Sequence, residues 1–231
     1  MLDIFLILII LSVVMIFAIG IFFKDEILSV KERDPAARGY FQIILIYSGL
    51  HAIVAYRITH VLWNMKLKFL ARFLAQIARF FTGIEIHPAA QIGKGLFIDH
   101  GMGVVIGETA IVGDNVILFQ GVTLGGTGKE TGKRHPTLED NIVVGTGAKV
   151  LGNITIGSYS YIGANAVVLR DVPPNSTVVG VPGHVTRQDG KRTDPLSSLE
   201  HGHVSDPIMQ HMKDIIRRLK TLEDKDKSAG I

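Results

Sequence analysis

From Leu138 onward every sixth residue is aliphatic: Leu138, Val144, Val150, Ile156, Ile162 and Val168. Four positions after each comes Ile142, Ala148, Ile154, Ser160, Ala166 or Val172, all small or branched. Neither the 3.6-residue period of a helix nor the two-residue period of a strand gives this pattern. A hexapeptide repeat does, and it marks a β-helix solenoid in which each short strand turns one aliphatic inward. Gly145, Gly157 and Gly163 directly follow three of these aliphatics and are expected at turns where glycine tolerates the backbone. An earlier block obeys the same rule: Ile86, Ile92 and Ile98, then, after a two-residue slip, Ile106, Val112, Leu118 and Leu124. A second slip lies between Leu124 and Leu138, 14 residues apart where two repeats would give 12. Gly125 to Pro136 is therefore expected to project from the coil as a loop.

Charge and cysteine content narrow the chemistry. The net charge of the 231 residues is +3, and it is dispersed. Residues 87–137 carry four basic and four acidic side chains, and 138–187 carry three of each, so no basic stripe exists for nucleic acid to follow. The absence of Cys excludes disulfides, thiolate metal ligands and an acyl-cysteine intermediate.

The chain reads as four segments: 1–23, 24–84, 85–187 and 188–231. In the first, Ile4 to Phe23 is apolar but for Ser12 and Gly20. It is long enough to cross a bilayer. No basic residue precedes it and no small-residue cleavage site ends it, so it does not read as a signal peptide. A membrane helix is the leading expectation. A start codon downstream and a helix buried in an oligomer stand beside it. The second segment reads as helical. Asp34-Pro35 is expected to open a helix, with Asp34 as N-cap and Pro35 at the first position. Leu50, Val54, Ile58 and Leu62, and then Leu67, Leu70, Leu74, Ile77 and Phe81, are spaced as apolar helix faces that should pack together. In the last segment Gln188 to Ser205 reads as linker. Ile208, Met212, Ile215, Leu219 and Leu222 form a short heptad seam, and Glu223 to Ile231 reads as a polar tail.

Residues that break a structural repeat are where chemistry is expected. Asp99-His100 stands where the repeat calls for Gly-x. Glu85 lies 15 residues earlier, close to one 18-residue coil, which predicts a neighbour at about 4.8 Å strand spacing. A carboxylate on one imidazole nitrogen leaves the other basic, a general-base arrangement. Arg134-His135 lies in the projecting loop, and a guanidinium suits a substrate carboxylate. His100 and His135 have no third ligand after them, so no metal is expected.

The motifs Asp34-Pro35-Ala36-Ala37, Gly49-Leu50-His51-Ala52, Ile86-His87-Pro88, Asp99-His100-Gly101, Gly107-Glu108-Thr109, Gly125-Gly126-Thr127-Gly128-Lys129, Arg134-His135-Pro136 and Gly180-Val181-Pro182 resemble bacterial serine O-acetyltransferases. The resemblance runs over about residues 25 to 187, and the loop from Gly125 to Pro136 is its most diagnostic part. It implies a left-handed parallel β-helix, preceded by an α-helical region, and a cytoplasmic homotrimer with active sites between subunits. It implies transfer of acetyl from acetyl-CoA to L-serine, the first step of cysteine synthesis, with no metal. His100 would be the base and Glu85, where many members carry Asp, its partner. Asp34, Asp99, Arg134 and His135 would hold the amino acid. Gly126, Thr127, Gly145, Thr146 and Ala164 would lie along the CoA arm. L-cysteine presents the same ammonium and carboxylate as serine and is expected to inhibit. Longer members join two trimers through an N-terminal extension that this chain lacks, which weakens the case for a dimer of trimers. The terminal Ile231 resembles the residue by which several members enter O-acetylserine sulfhydrylase, and Gly230 gives it freedom to do so. Two rivals remain on the residues alone: a hexapeptide acetyltransferase for another acceptor, and a non-catalytic scaffold for a partner enzyme. If Ile4 to Phe23 spans a membrane, the catalytic part faces the cytoplasm, where acetyl-CoA is found.

Overall fold

The fold is known from a computed structural model that describes residues 2–128, 131–192 and 215–219. The chain divides into two compact units, Met1–Thr193 and Asp194–Ile231. In the second, residues 215–219 are helical, within the expected heptad seam. Ile208, Met212, Leu222 and Ile231 lie outside the described residues.

The first unit holds five helices, α1 (Leu2–Phe22), α2 (Lys24–Arg33), α3 (Tyr40–Ile46), α4 (Ser48–Asn64) and α5 (Lys68–Thr82), followed by a triangular coil of strands. Sheet A stacks Glu85–Ile86, Val105–Ile106, Thr123–Gly125, Lys149–Leu151 and Val167–Val168 in parallel. Sheet B stacks Gln91–Ile92, Ile111–Val112, Thr137–Leu138 and Thr155–Ile156. Sheet C stacks Phe97–Asp99, Ile117–Phe119, Val143–Val144, Tyr161–Ile162 and Ser176–Val179. Every repeat aliphatic from Ile86 to Val168 is buried, and together they form one continuous core. Ser160 is buried at an inward position too; its hydroxyl donates to the Pro173 carbonyl at 3.0 Å and accepts the Ser176 N–H at 3.2 Å.

Register corrects three details of the repeat. The first coil has 20 residues, since Glu85 pairs with Val105 and not with the residues beside His100. The next sheet A coil, Val105 to Thr123, has 18. The projecting loop lies on the one after, Thr123 to Lys149, which takes 26 residues, so the loop inserts eight residues rather than two. The glycines after the aliphatics are not there for left-handed backbone. A Cβ on Gly145 would stand 2.8 Å from the Ala164 nitrogen, and one on Gly157 2.4 Å from the Pro174 nitrogen. These positions need glycine because successive coils approach closely. Left-handed turns use other residues, among them Asn115, Asn141 and Asn175, whose short amides tolerate positive φ. The coil also ends later than expected. His184–Gln188 and Lys191–Arg192 add two antiparallel strands to sheet C, so the first residues of the expected linker are strand.

The helices close the apolar start of the coil. Ala52, Ile53 and Tyr56 of α4 join the core beside Ile84 and Ile86. Tyr56 donates to the Ala90 carbonyl at 2.6 Å, and Arg57 bonds the Ile92 carbonyl at 2.6 Å while pairing with buried Glu26 of α2 at 3.2 Å. Helix α5 packs differently from the expectation. It meets α4 and the coil with Ala71, Ala75 and Ala78, whose small side chains allow close approach. The stripe Leu67, Leu70, Ile77 and Phe81 is left exposed. From Ile4 onward the sequence of α1 is apolar but for Ser12 and Gly20. Among the described residues its last turns, with Ile16 and Ile19, pack on Ile27, Val30 and Ile43, while Phe5, Val14 and Phe17 lie exposed. Among the described residues no single helix is long and apolar enough to cross a membrane; the apolar helix found there is Val13–Phe22.

Pro35 stops a helix instead of starting one. A residue before proline is disfavoured in the α region, and Asp34 accordingly leaves α2 at φ −103° and ψ 108° as its C-cap. The chain then turns through residues 35–39 before α3. This irregular turn brings Asp34 to the side of the coil.

Candidate active site

Between Asp99 and Val104 the two inserted residues form a tight turn at the edge where sheet C passes into sheet A. The Gly101 N–H bonds the Asp99 carbonyl at 2.6 Å, and the Met102 N–H bonds the His100 carbonyl at 3.0 Å. His100 takes φ +56°, unusual for its type, and its imidazole is exposed. The turn opens into a cavity of about 360 Å³ lined by Asp34, Gln42, Tyr47, Ser48, Asp99 and His100, among others. Sequence reasoning named three of these. It missed Tyr47, which donates from its hydroxyl to Asp34 Oδ2 at 2.5 Å. Asp34 Oδ1 meanwhile accepts the Ala36 N–H at 2.7 Å. Burial, with the carboxylates of Asp34 and Asp99, pushes the Tyr47 phenol up to about 12, so it stays a donor.

Among the described residues no hydrogen bond joins Glu85 to His100. The Glu85 carboxylate pairs with Arg79 of α5 at 3.0 Å. The extra two residues of the first coil place it opposite Val105, so the one-coil premise fails. It remains on the strand that borders the His100 turn: Gly103 donates to the Gly83 carbonyl at 2.9 Å, and a Cβ on Gly101 would strike Ile84.

Gly145, Thr146 and Ala164 lie along the same edge as His100. Asp99 is in register with Phe119. One coil further, the Gly147 N–H bonds the Gln120 carbonyl at 2.9 Å, and the Asn165 N–H then bonds the Thr146 carbonyl at 2.7 Å. Gly103, Gly121 and Gly147, all at positive φ near 70–76°, carry no Cβ along this edge, and the Asn165 amide lies over Gly147.

Arg134 and His135 occupy the next edge, where sheet A passes into sheet B, together with Gly126 and Thr127. Arg134 Nη2 donates to Glu108 Oε2 at 2.6 Å, and this bond holds the Glu108 carboxyl below its usual range. The Thr109 hydroxyl accepts the backbone N–H groups of Arg134 and His135 at 3.0 and 3.1 Å. Its own proton is then directed to His135 Nδ1 at 2.9 Å, which also accepts the Thr109 N–H at 3.2 Å. His135 thus carries its proton on Nε2. Burial, and after it the Arg134 charge, lower its pKa. Lys133 ties the loop down through the Thr109 and His135 carbonyls at 2.8 and 2.6 Å. His87 stands beside them, edge-on to Trp63 at 5.1 Å, with a pKa lowered to about 4 chiefly by burial. Glu108 and Thr109 belong to a motif visible in sequence, but only the fold shows them holding Arg134 and His135.

The expected residues therefore fall into two groups separated by the width of sheet A. Asp34, Asp99, His100, Gly145, Thr146 and Ala164 form one; Gly126, Thr127, Arg134 and His135 form the other. Among the described residues no cluster of three or more His, Cys, Asp or Glu is placed to hold a metal ion.

The pattern described as "Bacterial transferase hexapeptide (six repeats)" matches residues 135–170. Over 200 residues the chain is 58% identical to the serine acetyltransferase of Bacillus pumilus (strain SAFR-032), covering 87% of this chain and 91% of that one. The chain belongs to the serine acetyltransferase family. Solved structures agree. A serine acetyltransferase in complex with cysteine superposes with a TM-score of 0.70 at 47% identity, covering 71% of this chain and 68% of that one. The enzyme of Brucella abortus strain S19 in complex with coenzyme A superposes with a TM-score of 0.71 at 44% identity, covering 74% and 68%.

Proposed function

We propose that this serine acetyltransferase moves acetyl from acetyl-CoA to the hydroxyl of L-serine, with His100 as general base. The observation that carries the reading is the convergence of Asp34, Asp99 and His100 on one cavity at an edge of the coil. Two carboxylates receive the ammonium of an α-amino acid. That leaves its hydroxyl for His100, which stands on a forced turn facing the glycine edge. His100 removes the serine proton as the oxygen attacks the thioester carbon. The tetrahedral species collapses, the carbon–sulfur bond breaks, and the thiolate takes the proton back from the imidazolium to give free CoA and O-acetyl-L-serine. Glu85, on the strand that borders the His100 turn, is assigned to that imidazolium, which requires its pair with Arg79 to open and its carboxylate to swing to the ring.

The carboxylate of serine is assigned to Arg134 and the Nε2–H of His135. In one chain these lie on a different edge from His100, so the reading requires a second copy that brings its loop edge against the His100 edge. A homotrimer about a three-fold axis pairs each His100 edge with one loop edge. The pantetheine arm of CoA then runs between Gly145, Thr146 and Ala164 of one copy and Gly126 and Thr127 of the next. L-cysteine offers the same ammonium and carboxylate and inhibits by occupying the serine site. Ile231 is assigned to docking on O-acetylserine sulfhydrylase. The exposed apolar side chains of α1, Phe5, Val14 and Phe17 among them, are the reason to assign the enzyme an attachment at the cytoplasmic face of a membrane. Full-length protein should then resist extraction from membranes by salt, and its recovery without detergent would remove that attachment.

The test of the activity is release of free CoA. It should depend on L-serine, and His100→Ala should lower turnover at least about 100-fold with the fold intact. Release with another acceptor alone, or a His100→Ala rate within a few-fold of the original, would overturn the reading.

A further inference from the structure

We infer that Tyr47 is a positioning residue that fixes the Asp34 carboxylate in the direction from which it receives the substrate ammonium. The inference rests on the reading of the cavity as an amino-acid site.

Asp34 has no regular structure to hold it. It lies in the extended link after α2, followed by Pro35, and its side chain faces a cavity that also contains Asp99. Two carboxylates facing one cavity repel, and an unrestrained Asp34 would turn away from Asp99 whenever no ammonium lies between them. Two bonds prevent this. The Ala36 N–H holds Oδ1 at 2.7 Å, and the Tyr47 hydroxyl holds Oδ2 at 2.5 Å. The first is local and moves with the link. The second is anchored elsewhere.

Tyr47 joins α3 to α4 and is fixed from both: its N–H bonds the Ile43 carbonyl at 3.3 Å and its carbonyl accepts the His51 N–H at 3.2 Å. Its ring packs on the cluster containing Ile27, Val30, Ile43 and Leu50. The hydroxyl therefore reaches Asp34 from a rigid base, and the carboxylate is aimed before substrate arrives. Burial and the two nearby carboxylates keep this phenol protonated throughout the working range, so the donor does not switch off.

The test uses the full chain and steady-state kinetics in both substrates, with L-cysteine inhibition as a second readout. Tyr47→Phe keeps the ring and its packing and removes only the hydroxyl. It should raise the KM for serine about tenfold, the loss of one hydrogen bond to a charged group. The inhibition constant for cysteine should rise by the same factor. The kcat should stay within about twofold and the KM for acetyl-CoA should not change. Asp34→Asn should raise the serine KM further. In that background Tyr47→Phe should add less than about twofold, because the two side chains act through one interaction. A serine KM unchanged in Tyr47→Phe, or an undiminished effect in the Asp34→Asn background, would overturn the inference while leaving the site in place. An Asp34→Asn enzyme with an unchanged serine KM would overturn the amino-acid site itself, and this inference with it.

Discussion

Replacing Gly107 with Ala tests whether His135 is held where the serine site needs it. Gly107 lies one coil before the loop, and an added Cβ would stand 2.0 Å from Cδ2 and 2.1 Å from Nε2 of His135. Ordinary contact begins near 3.4 Å, so the ring must retreat by about 1.4 Å. It has nowhere to go without cost. His135 is 8% exposed, and its Nδ1 takes both the hydroxyl and the N–H of Thr109. Crowding of this kind costs about 1–3 kcal/mol, and the lost hydrogen bonds add about 0.5–1.5 kcal/mol each. The expected destabilisation is about 2–6 kcal/mol, which lowers the Tm of a chain this long by roughly 5–20 °C. Displacing the Nε2–H should also raise the serine KM at least about tenfold, since about 1.4 kcal/mol of lost binding suffices. Gly132→Ala, in the same loop with nothing within 4 Å of its added Cβ, is the control and should be silent in both assays. Thermal unfolding and serine saturation curves read the two effects. A Gly107→Ala enzyme with the parent serine KM would show that His135 does not touch the substrate.

Three further outcomes follow from the same geometry. His87 protonates near pH 4 when folded and near 6.5 when unfolded, so the unfolded chain binds more protons between those values. Stability should be level above pH 6.5 and fall on acidification to pH 4, by on the order of 1–2 kcal/mol for this half-buried ring; denaturant midpoints of His87→Phe should lack that slope, and equal slopes would refute the assignment. Arg134→Lys keeps the charge but loses the planar fork that also engages Glu108. It should raise the serine KM more than it lowers kcat and weaken cysteine inhibition in parallel; separate responses would mean the two ligands use different sites. Deleting Ile231 should abolish capture of O-acetylserine sulfhydrylase in a pull-down and leave serine acetylation unchanged, and undiminished capture would remove the role given to that residue.

The coil was legible because each strand carries one obligate inward aliphatic, and burial enforces that choice at every repeat from Ile86 to Val168. Insertions were legible as slips, but their size was not. Leu124 and Leu138 sit on successive sheets, and the sequence alone did not say how many repeats lay between them. Turn chemistry misled at Gly145 and Gly157, where the need for glycine comes from the neighbouring coil, a contact no local pattern records. Asp34 was found by motif and misplaced by local rule, since Pro35 both suits a first helical position and forbids helix at the residue before it. In the site, His100 and Arg134 stood out because they interrupt a regular repeat. Their partners did not. Glu108 holding Arg134, Thr109 setting the tautomer of His135, and Tyr47 holding Asp34 are fixed by register and helix packing across 13 to 26 residues of chain. The exposed stripe of α5 was misassigned because spacing cannot tell a Leu face from an Ala face that packs more closely.

In the proposed assembly His100 of one copy works with Arg134 of its neighbour. Complementation between two inactive chains tests it most directly. His100→Ala and Arg134→Ala are each to be prepared alone, then unfolded together and refolded as a mixture, with CoA release measured at saturating acetyl-CoA and serine. In mixed trimers some edges pair an intact His100 with an intact Arg134. About a quarter of the sites should be whole if copies mix at random and each site draws one group from each of two copies. Activity in the mixture should therefore rise well above that of either variant refolded alone, toward about a quarter of the parent rate. A mixture no more active than its components would place His100 and Arg134 in the same copy's site, and the assembly proposed here would be wrong.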